Sequence, residues 1–74
     1  MKASVLLSQT ETDINKLVLV FIDDSNIKYF LDQELVPAKG FDRQIIDLLS
    51  SETKPFEVQY KKLNGRNYIT KLHY

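Results

Sequence analysis

A chain of 74 residues with 43% apolar and 27% charged side chains is hydrophobic enough to fold. A domain this small buries only about 60% of the surface its unfolded chain exposes, so it has no room for a large enclosed cofactor, and without a cysteine it has no disulfide, thiolate chemistry or Cys-ligated metal site. Ten Lys and Arg balance ten Asp and Glu, but residues 1–37 carry three bases against six acids and residues 38–74 carry seven against four, so the chain is dipolar along its length.

No repeat, low-complexity stretch or linker divides the chain, which reads as one domain over residues 1–74. Residues 1–8 hold one Lys and an apolar run far shorter than a signal-peptide core, and no stretch nears the ~20 apolar residues of a membrane span. The expectation is a cytoplasmic protein with no membrane partner. Ala3 to Leu7 reads as a short strand and Ser8 to Asp13 as a polar connection. Leu17-Val18-Leu19-Val20-Phe21-Ile22 is the strongest strand signal, six apolar residues that suit a strand buried on both faces.

Asp23, Asp24, Ser25 and Asn26 then offer N-caps to a helix whose apolar face is Ile27, Phe30, Leu31 and Leu35, ended by Pro37 and Gly40. Asp42 caps a second helix, with Phe41 and Ile46 as a hydrophobic staple and Phe41, Ile45, Leu48 and Leu49 as its stripe, ending near Ser50-Ser51. The last segment, Phe56 to Tyr74, reads as a hairpin. A two-residue Asn64-Gly65 turn would pair Tyr60 with Ile69 and Phe56 with His73, scattering apolar groups over both faces. A three-residue Leu63-Asn64-Gly65 loop with Gly65 as a bulge instead pairs Phe56 with Leu72, Val58 with Thr70 and Tyr60 with Tyr68 on one face, and sets Glu57 opposite Lys71 on the other. That register is the one expected. The resulting fold class is α+β in the order β-β-α-α-β-β, a small sheet packed by two helices and closed by a C-terminal β-hairpin.

Two groups of residues suggest function. The hairpin combines Lys61, Lys62, Arg66 and Lys71 with Tyr60, Tyr68 and Tyr74, cations for phosphate and rings for base stacking, or equally a basic surface for an acidic protein. The core-and-solubility alternative puts Tyr60 and Tyr68 inside and leaves the lysines as solvated edge protection. A last strand at a sheet edge would also allow pairing with a partner chain or a second copy. The second group is Asp23, Asp24, Ser25 and Asn26 at the end of the most buried strand, where ligands of open α/β sheets bind. Helix capping accounts for these residue types too, and an acid here can also hold a divalent metal.

The string Phe21-Ile22-Asp23-Asp24-Ser25-Asn26-Ile27 resembles the first motif of the NYN/PIN-like ribonuclease family, over residues 16–61. The resemblance carries over to Asp23, Ser25 and Asn26, and implies Asp23 as a metal ligand, Asn26 supporting the site, and Mg²⁺ or Mn²⁺ as the cofactor of RNA cleavage; the neighbouring Asp24 would be a second acid for the metal. More loosely, the strand Ile14 to Phe21, a helical stretch and a closing hairpin look like the N-terminal domain of the leucyl aminopeptidase family, which assists assembly and carries no metal ligands. Other chemistry has little to stand on. His73 is the sole histidine, and two glycines make no phosphate-binding loop. Because 74 residues hold only the first piece of the nuclease pattern, the preferred reading is a non-enzymatic binding or regulatory domain without cofactor. Its basic hairpin or sheet edge would take a protein or nucleic-acid partner, and the ribonuclease-like unit is the alternative.

Overall fold

β1 (Lys2–Asp13) is too long for one flat sheet and serves two partners. In the computed structural model, which describes residues 1–13, 16–51 and 53–73, residues 2–5 of β1 pair antiparallel with β4 (Phe56–Leu63) and residues 6–13 with β2 (Lys16–Ile22). Leu7 lies opposite Phe21 and Gln9 opposite Val20, so Ser8 is one residue extra, a bulge that bends the strand from one partner to the other. β3 (Lys28–Asp32) follows β2 antiparallel, and β5 (Arg66–His73) runs parallel to β3 and antiparallel to β4. The sheet closes as a barrel in the order β1-β2-β3-β5-β4.

The interior is filled by alternate residues of the strands, as a small barrel requires. Val5, Leu19, Phe21, Tyr29, Leu31, Val58, Ile69 and Leu72 are buried together, and Phe21 meets Phe56 edge-to-face at 5.8 Å. Leu49 joins this core from α1 (Ile46–Ser51), a single short helix after a 3₁₀ turn at Arg43–Ile45. Asp42 starts it by accepting the Gln44 N–H on Oδ1 at 3.0 Å and the Ile45 N–H on its carbonyl at 3.0 Å. Phe41, Ile45 and Ile46 pack inward, while Leu48, expected on the same stripe, is half exposed.

The α+β expectation of a sheet packed by two helices is therefore overturned. Among the described residues the chain forms a five-stranded mixed barrel with one short helix, in the order β-β-β-α-β-β. The helical spacing predicts a first helix over residues 27–35, yet Lys28–Asp32 form β3. The four apolar residues at helical spacing are shared between a strand and its flanks. Tyr29 and Leu31 point inward, Phe30 outward, and Ile27 and Leu35 stay about half exposed outside the strand. Two adjacent aromatics suit a pleated surface better than a short helix, and β2 is a ready partner through a tight turn. The Asn26 N–H donates to the Asp23 carbonyl at 3.1 Å, the Asp23 N–H to the Ile27 carbonyl at 3.2 Å, and Asn26 takes a left-handed φ of 65°. This is a three-residue hairpin loop over residues 24–26. The polar stretch read as a connection, residues 8–13, belongs to β1.

The hairpin register also differs from expectation. Leu63 faces Arg66, Tyr60 faces Ile69, and Asn64 and Gly65 both have positive φ (52° and 79°), the signature of a two-residue type I′ turn. The register then shifts, so that Gln59 faces Lys71, Val58 faces Leu72 and Glu57 faces His73. Thr70 is the extra residue. This bulge puts Val58 and Leu72 on the inner face with Tyr60 and Ile69, removing the scatter that argued against a two-residue turn. It has its own support, because Lys39 donates to the Thr70 carbonyl and accepts from the Leu72 N–H, both at 2.9 Å. β5 is thus flanked by β4 on one side and by β3 and Lys39 on the other, which leaves it no open edge for a partner strand.

Candidate functional site

The outer face of the barrel follows from the register. On β2, β3, β5 and β4 the residues Val20, Phe30, Tyr68 and Lys61 stand side by side on the face opposite the core. Phe30 is half-buried and Tyr68 nearly buried, with their rings 6.0 Å apart and tilted by 43°. The β4–β5 turn brings Arg66 back beside them. Its guanidinium lies 5.3 Å from the centre of the Phe30 ring, a cation–π distance. Lys61 is exposed directly across from Tyr68, and Lys71 is exposed on the same outer face, opposite Gln59.

Among the hairpin residues singled out from sequence, Lys61, Arg66 and Lys71 share this face. Lys62 is exposed but faces the other way, opposite Asn67. Tyr74 lies outside the described residues. Tyr60 and Tyr68, expected on one face, are separated: Tyr60 points inward and meets Tyr29 edge-to-face at 4.9 Å, while Tyr68 points outward. Sequence reasoning missed Phe30, the ring at the centre of the surface, because it was assigned to a helix face. The signal available was the adjacent aromatic pair Tyr29-Phe30, which suits a strand better than a short helix.

Asp23 stands at the end of β2, as expected, but a hairpin loop follows it where a helix was expected. Its Oδ1 accepts the N–H groups of Ser25 and Ile27, each at 2.9 Å, and its Oδ2 accepts the Tyr29 hydroxyl at 2.8 Å. The Ile27 N–H does most to hold the Asp23 carboxyl below its ordinary range, against partial desolvation, with Tyr29 and Ser25 assisting. Burial, then the neighbouring Asp23 anion, push the Tyr29 hydroxyl upward, so it stays a neutral donor. Asp24, Ser25 and Asn26 are exposed. Among the described residues no three His, Cys, Asp or Glu side chains gather as a metal site would require.

No family model, curated protein or solved structure matches the chain. Among the described residues no helix is long and apolar enough to cross a membrane.

Proposed function

We propose that this protein is a binding module for single-stranded nucleic acid, with Phe30, Arg66 and Lys61 as its contact residues. The observation that carries the reading is the Phe30 ring on the outer face of β3 with the Arg66 guanidinium 5.3 Å from its centre. With the guanidinium held over the Phe30 ring, its own plane is the flat surface on which an unpaired base stacks, and neighbouring cations hold the phosphates. Lys61 and Lys71 supply the cations on this face. The architecture favours the same surface. Five-stranded Greek-key barrels that bind oligonucleotides or oligosaccharides use the face of their second and third strands and the loops joining strands 1–2 and 4–5. Here Phe30 is on β3 and Arg66 flanks the β4–β5 turn. Architecture alone assigns no activity, and these side chains carry the reading.

Fluorescence anisotropy with a labelled twelve-nucleotide single strand tests it. The intact chain should bind the single strand more tightly than a duplex of the same sequence, and affinity should fall as salt rises. Arg66→Ala and Lys61→Glu should each weaken binding by about tenfold, the scale of one lost stacking or phosphate contact. Binding unchanged in both variants, or no binding at low salt, would overturn the assignment.

A further inference from the structure

A concave feature elsewhere on the barrel shares no lining residue with the aromatic surface. The start of β1, the end of β2, the Asp23–Asp24 turn and Pro55 enclose a cleft of about 450 Å³, within the ~300–1,000 Å³ of small-ligand sites. Its lining has two characters. Leu6, Ile22 and Pro55 supply apolar wall, and Asp23 and Asp24 supply carboxylates. Among the described residues Lys2 is the only basic one on the lining, and its Nζ is engaged with Glu57 Oε1 at 3.7 Å. Among the described residues neither aspartate has a salt-bridge partner.

Lone-pair accounting narrows what would fit. A carboxylate offers about four acceptor positions. Asp23 gives two on Oδ1 to Ser25 and Ile27 and one on Oδ2 to Tyr29, leaving one position on Oδ2. A single N⁺–H donor needs one such position, whereas a hard divalent cation needs several oxygens, and no third acid joins the pair among the described residues.

We propose that this cleft is a binding site for a small organic cation, a primary ammonium on an apolar stem, with the ammonium against Asp23 and Asp24 and the stem along Leu6 and Ile22. The site is independent of the nucleic-acid surface, and either can fail without the other.

Two-dimensional ¹H–¹⁵N NMR of the intact chain, titrated with 2-phenylethylamine and with its neutral analogue 2-phenylethanol, tests the proposal. The amine should shift the backbone amides of residues 2–6 and 22–27 saturably, and the alcohol should bind at least about tenfold more weakly for want of the charge-assisted contact. Asp23→Asn would disturb the turn itself, so the diagnostic variant is Asp24→Asn, whose side chain is exposed. It should keep the spectrum of the folded barrel and weaken the amine severalfold. Equal binding of amine and alcohol, shifts outside the cleft, no saturable response up to about 10 mM, or amine binding unchanged in Asp24→Asn would each overturn it.

Discussion

Asp23 shows how one residue type serves several readings of a sequence. An acid after a buried strand suits a helix cap, a metal ligand or the first residue of a turn, because each use wants an oxygen acceptor at a point where backbone N–H groups lose their partners. The structure uses it as a turn residue, with both oxygens engaged by its own loop and by Tyr29. This has a consequence for pH. The folded carboxyl titrates below its ordinary 3.8, so the ionised form stabilises the fold above that pH, and the contribution is lost as pH falls through the lower, folded value. Thermal melts of the native protein and of Asp23→Asn between pH 7 and pH 2 should show the variant melting lower at neutral pH. The gap should narrow below pH 3.8. A gap that stays constant across the range would mean that the charge of Asp23 does not support the loop. The hydroxyl of Tyr29, shifted upward, gives the opposite sign: its share is present at neutral pH and is lost only in strong alkali.

At the scale of elements, turns and bulges decide the result. Gly65 and Gly40 both have positive φ (79° and 84°), but they are held differently. A Cβ on Gly65 would meet nothing within 4 Å, whereas one on Gly40 would sit 2.8 Å from the Leu72 carbonyl oxygen, beside the bridge between Lys39 and β5. Gly65→Ala should therefore cost only the left-handed strain, about 1 kcal/mol. Gly40→Ala should cost more, about 2–4 kcal/mol, because the bridge must also shift. Urea denaturation of the two variants checks the order, and equal losses would show that the bridge gives way freely. The same features explain how much was legible in the sequence. The apolar runs at Ala3 to Leu7 and Leu17 to Ile22, the Asp42 cap and the existence of a C-terminal hairpin follow from local pattern, and the structure contains each of them. The bulges at Ser8 and Thr70 do not, since an extra residue leaves no mark in composition and is selected by the need to bend or realign a strand. Without a bulge at Thr70 a two-residue turn scatters apolar groups over both faces, so the local pattern favours the other register. Phe30 was lost for a related reason, because four apolar residues spread over a strand and its flanks reproduce helical spacing by chance.

For the whole molecule, closure of the sheet is what turns 74 residues into a stable unit and also what limits how it meets others. A closed barrel gives its strands partners on both sides, so a partner is left with the outer face, the loops and the cleft. Closure concentrates burial as well. Phe21 lies at the centre with no exposed surface, packed edge-to-face on Phe56, whereas Leu48 on α1 is 51% exposed. A domain of this length has total stability on the order of 4–11 kcal/mol, and emptying a Phe site in a core costs about 3–5 kcal/mol. Phe21→Ala should therefore bring the chain close to its unfolding threshold, with loss of dispersed methyl and amide signals in NMR and a sharply lower urea midpoint. Leu48→Ala should lower the stability by no more than about 0.5 kcal/mol, the scale of a surface change. If the two variants lost similar stability, the barrel interior would not be the main source of folding energy. In that case α1 would have to pack through Leu48 as the heptad-like spacing of Phe41, Ile45, Leu48 and Leu49 suggested. The large difference is expected because only Leu49 of α1 reaches the barrel core with no more than 1% of its surface exposed.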